Sequence, residues 1–491
     1  MGAENLVASL AIIGIVIIVS ALLSGLIDKS GLPQVAVFLF IGAALGPFGL
    51  GVFDTTLDSP VLRVVATLSL TLVLFTDAVT LNTSEVKRNT GLAFRMLGPG
   101  TILCAALTAL AAWWLLQLPP APAAILGAAL ASTDPVLLRG LLHRPDLSPE
   151  TRHALRLESG LNDAVLLPIV VVAIALTGHH YQDVSSFTRM GFGLFILGPG
   201  AGIAIGLIGV SALDLIRKRL GVRRDYESLY SLGIAFSAFA AAEAVHGSGF
   251  LAAFAAGLTI AALDVELCDC FIEYGGVTAE MLLLLTFVIF GCSLIWTGFT
   301  GLNAATIIFA AFTVLIRVPI FLMSLLGSNV NRRGRLVIAW FGPRGLSSLL
   351  LILLAVFAGM PGSERLFQIC SLIVLISVVI HGASPMLLAR FIKKVETEEP
   401  PPPPETPGEP RALPVIESAP PVGKQSLTLE ELDQLQKSGD EVIVLDARTE
   451  RSRDTSESQA EGSVRLVPEN VVLQARQMNL PKEAWLIVYC A

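Results

Sequence analysis

The sequence predicts an all-α polytopic membrane protein, with about thirteen transmembrane helices, inverted repeats and broken helices, followed by a small C-terminal α/β module. Three observations lead there. The 491 residues are 54% hydrophobic and only 15% charged, with a mean hydropathy of +0.72, which excludes an ordinary soluble enzyme. Apolar runs of about 20 residues, enough to cross a bilayer, follow one another from near residue 5 to near residue 391. Acids and prolines interrupt some of these runs, where lipid offers them no partner.

The expected spans are 5–27, 33–50, 60–79, 91–117, 121–142, 153–177, 191–213, 228–246, 249–263, 279–297, 302–326, 335–358 and 365–391. The first follows Glu4 with no basic segment before it, so it reads as an uncleaved helix and not a signal peptide. The eighth and ninth are divided at Gly247-Ser248-Gly249. Leu-Gly-Pro-Gly occurs at 97–100 and 197–200, and both copies read as kinks.

Basic residues set the orientation. Lys29, Lys87, Arg88, Arg139, Arg144, Arg152, Arg217–Arg219, Arg223, Arg224, Arg332, Arg333, Arg335, Lys393 and Lys394 fall on alternate connections, while the others carry little beyond Arg189 and Arg365. This predicts a multi-pass protein of the cell membrane with its N-terminus outside and its C-terminus in the cytoplasm. One inner connection, 264–273, is acidic and breaks the pattern. The six cysteines show no disulfide or zinc spacing.

The membrane part is expected to end near residue 395. Residues 396–425 are rich in proline and acids, with Pro400-Pro401-Pro402-Pro403-Pro404 at their start, the composition of an extended linker. Residues 426–491 turn globular again, with an amphipathic helix over 427–435 and strands over 441–445 and 486–489.

Three polar stretches carry the chemistry: Ser132-Thr133-Asp134-Pro135, Glu158-Ser159-Gly160-Leu161-Asn162-Asp163 and Gly342-Pro343-Arg344-Gly345. An acid that persists in hydrocarbon is functional by default. Thr133-Asp134-Pro135 reads as an N-cap with proline at the first helical position, so a half-helix starts there. Pro343 breaks the twelfth span in the same way. The two breaks lie in the middle of three-helix groups that run in opposite directions, as an inverted repeat requires. Rise per residue puts Asp134, Asp163 and Arg344 roughly 12, 15 and 14 Å deep, near the middle of a core about 30 Å thick.

Ser159 and Asp163 are four apart and share a helix face; Glu158 and Asn162 form the adjacent stripe. Hard cations such as sodium take oxygen ligands, so Asp163, Asp134 and Ser159 are assigned to the metal ion, with the Thr133 carbonyl assisting at the broken helix. Glu158 is expected to pair with Arg344, and Asn162 to hydrogen-bond across the breaks. Arg317, two residues before Pro319, is expected to satisfy helix ends.

These stretches, together with Phe38–Pro47 and Gly247–Leu258, resemble the signature segments of the sodium/proton antiporters of the NhaP and eukaryotic exchanger group, in order, over about residues 5–392. The resemblance implies thirteen helices in an NhaA/NhaP-like fold, with a six-helix core domain, a dimerisation domain and a homodimer. It implies cation and proton binding at Asp134, Ser159 and Asp163, assisted by Thr133, and a Glu158–Arg344 pair. Asn162 before Asp163 is the form that goes with electroneutral exchange. Sodium, possible lithium and protons are then cargo in a lipid bilayer; no resident cofactor and no nucleic acid are expected. Potassium/proton exchange, or a cation channel or sensor regulated by the tail, are the alternatives.

Val442–Arg448 and Leu480–Cys490 resemble a rhodanese domain, with Cys490 at the nucleophile position. The sequence given stops at Ala491, without the loop that would cradle a persulfide, so the module reads as incomplete and sulfurtransferase activity is not expected.

Overall fold

The computed structural model describes residues 34–51, 54–81, 89–142, 147–177, 184–219, 224–263, 269–396, 442–446, 462–465 and 485–489, with isolated positions before residue 34. Most of the expected span 5–27, the helix over 427–435 and Cys490 lie outside the described residues. The chain divides into two compact units, Met1–Glu399 and Pro400–Ala491.

In the first unit, several helices start where local chemistry favours a start. α1 is Gln34–Leu45 and α2 is Pro60–Val79, which has Ser59 before it and proline in its first turn. α3, Thr90–Leu115, widens to a π-helix over Met96–Ile102, around Pro99. Proline has no N–H to give, and a π turn absorbs the lost bond without ending the helix. α4 is Pro120–Ala131 and α5 is Pro135–Leu142. α6, Pro149–Thr177, begins four residues earlier than the apolar pattern indicates. Its first turn is polar: the Ser148 hydroxyl accepts from Thr151 N at 3.3 Å, ahead of the first apolar stripe.

α7 runs over Thr188–Arg217 through a second π turn, Gly193–Leu197, so both Leu-Gly-Pro-Gly segments touch wide turns. α8, Arg224–Ala244, is separated from α9, Gly249–Ala262, by a short turn in which His246 takes φ 58°. The Glu243 carboxylate accepts from Gly249 N at 2.9 Å and helps to cap α9. α10 is Asp269–Cys292, so part of the expected acidic connection 264–273 is helical; residues 264–268 lie outside the described residues. Apolarity alone marks only the later turns, from residue 279. A 3-10 helix, Leu294–Gly301, leads to α11, Ala304–Ser324, which opens with a capping box of Asn303 and Thr306. α12 is Arg332–Trp340, α13 is Leu346–Phe357 and α14 is Ser363–Glu396.

Among the described residues, eight helices are long and apolar enough to cross a membrane, and four more apolar helices are shorter. Among these residues, the expected spans are therefore not all full-length helices. α1, α9 and α13 are only 12 to 14 residues long. The fifth and twelfth expected spans are each two half-helices divided by extended chain, at 132–134 and 341–345. Buried aliphatic and phenylalanine side chains, among them Phe38, Phe287, Phe290 and Phe367, pack the interior around these breaks.

In the second unit, β1 (Val442–Asp446) is flanked by β2 (Val464–Arg465) and β3 (Trp485–Tyr489) in a parallel sheet of order β2-β1-β3. Val442 to Asp446 pair in register with Trp485 to Tyr489.

Candidate functional site

Two interrupted helices cross at the site. α4 stops at Ala131 because Ser132 turns extended, at φ −64° and ψ 140°, and α5 starts at Pro135. The second break separates Trp340 from Leu346. The two extended strands touch: Asp134 N donates to the Pro343 carbonyl at 2.9 Å. The Asp134 side chain ties both helix starts. One carboxylate oxygen accepts from Val136 N at 2.9 Å, in the first turn of α5, and the other from Leu346 N at 2.7 Å, in the first turn of α13. Both N-terminal dipole ends thus meet one negative charge. Gly345 has to be glycine here, since a Cβ would overlap the Asp134 carboxylate.

The C-terminal ends are matched by cations. Arg344 Nε donates to the Leu130 carbonyl at the end of α4 (3.0 Å), Nη1 to Gly342 O (3.2 Å) and Nη2 to Thr313 O (2.5 Å). Arg317 Nη2 donates to Ile338 O at the end of α12, at 3.1 Å. The four broken ends are therefore compensated, two by Asp134 and one by each arginine.

The expected Glu158–Arg344 pair is not what forms. Glu158 pairs with Arg317, whose two terminal nitrogens donate to its two carboxylate oxygens at 2.7 Å each. Arg317 comes from the middle of α11, beneath Gly342, where a Cβ would collide with its guanidinium; its cation also lies 3.8 Å from the centroid of the Phe321 ring. The Arg344 guanidinium is instead taken up by three backbone carbonyls. Arg317 does serve a helix end, as expected of it, but its principal partner is the carboxylate.

The remaining predicted residues gather on α6. Asn162 Nδ2 donates to Thr133 Oγ1 at 2.6 Å and, more weakly, to the Thr133 carbonyl at 3.4 Å. Thr133 Oγ1 in turn donates to Glu158 at 3.4 Å. Ser132 Oγ donates to Asp163 Oδ1 at 2.5 Å. The other Asp163 oxygen, Oδ2, is fully buried and has no hydrogen-bond partner among the described residues; neither does Asn162 Oδ1. Ser159, one turn from Asp163, makes only a 3.4 Å contact to the Arg156 carbonyl. Ser159 also lines a cavity of about 320 Å³ with Asp77, Arg156 and Glu280, between α2, α5, α6 and α10.

Asp163, Asp134, Thr133, Asn162, Glu158 and Arg344 thus belong to one buried constellation, while Ser159, also buried, lies one turn from Asp163 and lines the neighbouring cavity. Their duties divide. Asp134 spends both oxygens on helix ends, whereas Asp163 keeps one oxygen uncommitted. Ser132, which donates to the Asp163 carboxylate, is part of a conspicuous motif, but the sequence does not mark it as a partner. Among the described residues no group of three His, Cys, Asp or Glu side chains is arranged for a metal ion. What the site holds is one carboxylate oxygen and one amide oxygen, Asp163 Oδ2 and Asn162 Oδ1, both buried without a hydrogen-bond partner among the described residues.

A buried carboxylate at the crossing of two interrupted helices, inside a bundle of membrane-length helices, defines a secondary transporter of the broken-helix class. The chain belongs to the sodium/hydrogen exchanger family, the transmembrane cation/proton antiporters: residues 15–389 match the family described as "Sodium/hydrogen exchanger, transmembrane". It is 25% identical over 402 residues to the K(+)/H(+) antiporter NhaP of Alkalimonas amylolytica, covering 80% of this chain and 68% of that one. It is 27% identical over 406 residues to the K(+)/H(+) antiporter NhaP2 of Shewanella sp. strain MR-4, with the same coverage. In fold it is similar to the sodium proton antiporter MjNhaP1 of Methanocaldococcus jannaschii, with a TM-score of 0.63 at 19% identity, over 77% of this chain and 99% of that one.

Proposed function

We propose that the protein exchanges one monovalent cation, sodium or lithium, for one proton across the membrane, without net charge movement, at Asp163. The observation that carries this reading is the uncommitted, buried Oδ2 of Asp163. Charge balance supports it. Three buried carboxylates, Asp134, Glu158 and Asp163, face two buried guanidiniums, Arg317 and Arg344. The helix ends cancel in pairs, so the empty constellation carries one formal negative charge. Either a proton or a monovalent cation neutralises it, and the two compete for the same oxygen. Moving the bare charge through a low-dielectric core is expensive, so only loaded forms alternate between the two sides. Competition and that cost together give obligatory exchange. Ser159, Thr133 O and Asn162 Oδ1 are the further oxygens assigned to the cation. Asp134 acts chiefly by holding the crossing, and Glu158 with Arg317 keeps it dry and compensated.

A second reading, potassium/proton exchange, is favoured by the names of the relatives from Alkalimonas and Shewanella. Oxygen ligands alone do not choose between these ions. The test is proton flux in sealed proteoliposomes after addition of sodium, lithium or potassium, with and without a clamped voltage. Flux with sodium or lithium that is indifferent to voltage supports the first reading. Flux with potassium alone supports the second, and voltage-driven cation flux without proton countertransport would refute both.

For the chain as a whole, the reading is a homodimer with thirteen spans, N-terminus outside and C-terminus in the cytoplasm. The distribution of Lys and Arg supports this orientation. Residues 1–395 are assigned to transport, 396–425 to a linker and 426–491 to a rhodanese-like regulatory module. The division of the chain at Glu399 and Pro400 and the parallel sheet order support this assignment. Deleting everything after Lys394 should change the response of transport to oxidants; an unchanged response would remove the regulatory role.

A further inference from the structure

α14 carries a polar stripe that the exchange reaction as described does not use. Ser377, His381 and Ser384 are spaced four and three residues apart and so share one face of an otherwise apolar helix. A histidine in a spanning segment needs an explanation beyond packing, and here all three side chains meet the break between α12 and α13. Ser377 Oγ accepts from Arg344 N at 2.7 Å and lies 3.1 Å from His381 Nδ1. His381 Nε2 lies 3.2 Å from the Trp340 carbonyl, and Ser384 Oγ accepts from Trp340 Nε1 at 3.1 Å. The stripe therefore grips the last residue before the break and the penultimate residue within it.

His381 is held at both ring nitrogens: Nδ1 lies 3.1 Å from the Ser377 hydroxyl and 3.1 Å from the Ser377 carbonyl, and Nε2 lies 3.2 Å from the Trp340 carbonyl. A carbonyl only accepts, so a neutral ring donates to one of the two carbonyls and a doubly protonated ring to both. With a proton on Nε2 the ring links Ser377, which accepts from Arg344 N, to the Trp340 carbonyl.

We propose that Ser377 and His381 are positioning residues for cation binding: they fix the extended strand 341–345, and this strand fixes Asp134 and the site beside it. The strand's Pro343 carbonyl accepts from Asp134 N, and Leu346 N, two residues beyond Arg344, donates to the Asp134 carboxylate. Ser132, two residues before Asp134, orients Asp163. Loosening the strand shifts the oxygens around Asp163 without removing any of them. The inference rests on the reading of Asp163 as the cation site.

The test is exchange by the full chain in proteoliposomes, with the cation KM and the maximal rate measured for His381→Leu, His381→Gln and Ser377→Ala, beside Asp163→Asn as reference. Loss of the relay should raise the cation KM about tenfold in His381→Leu and Ser377→Ala, the scale of one buried hydrogen bond, with the maximal rate within about threefold. His381→Gln, whose amide N–H can reach Trp340 O, should recover most of the affinity. A wild-type KM in Ser377→Ala, or a His381→Gln no better than His381→Leu, would overturn the proposal. The tautomer supplies a readout independent of transport. With 15N-labelled histidine, the signal lost in His381→Gln should report a ring protonated at Nε2, and protonation at Nδ1 alone would also overturn it. If Asp163→Asn still exchanges, the reading of the site fails, while the tautomer result continues to judge the relay.

Discussion

Replacing Arg317 by methionine removes one partner of the Glu158 ion pair while keeping much of the side-chain volume. Arg317 is 3% exposed and Glu158 0%, and both oxygens of the carboxylate are engaged at 2.7 Å. Stranding a buried charge of this kind costs about 3–5 kcal/mol, a large share of the ~5–15 kcal/mol by which folded proteins are stable. Glu158→Gln alone strands the arginine in turn. The double variant Glu158→Gln, Arg317→Met leaves no charge behind and should lie well above the sum of the singles, with a coupling of about 2–4 kcal/mol. Unfolding by SDS titration in mixed micelles, followed by tryptophan fluorescence, measures all four corners of the cycle. Singles that add within about 0.5 kcal/mol would refute the pairing. So would a cycle in which Arg344→Met, and not Arg317→Met, couples to Glu158.

Asp163→Asn should abolish cation/proton exchange while the purified protein keeps its elution profile and melting behaviour; retained exchange would remove the site assignment. Gly345→Ala should destabilise the protein by about 2 kcal/mol or more, because the new methyl overlaps the Asp134 carboxylate in a crossing with no slack; the same SDS titration checks it. Arg344→Lys keeps the charge, but a single ammonium cannot serve the diverging Leu130, Gly342 and Thr313 carbonyls, so about 1–3 kcal/mol of stability should be lost.

Much of this architecture was legible in the chain. Asp-Pro at 134–135 announced a helix start inside an apolar run, and α5 begins at Pro135. Gly342-Pro343 announced the second break, and α12 ends at Trp340. The adjacent stripe of Glu158 and Asn162, with Asp163 beside it, is the side of α6 that meets the first break. What stayed hidden was which arginine reaches Glu158. Spacing orders residues within one helix, but it gives no information on the approach of α11 to α6. A signal did exist, since Arg317 sits mid-run and an intramembrane guanidinium calls for an anion; Pro319 next to it drew attention to backbone carbonyls instead. Asp134 was likewise read as a ligand first and a cap second, because its second helix end, Leu346, is more than two hundred residues away.

The single carboxylate of Asp134 laces two halves of the chain together at their weakest point, one oxygen for each. A crossing fastened in this way makes a poor hinge, because parting the strands would bare two helix starts at once. On the exchange proposed above, any seam that yields would run outside the crossing and leave its two strands fastened.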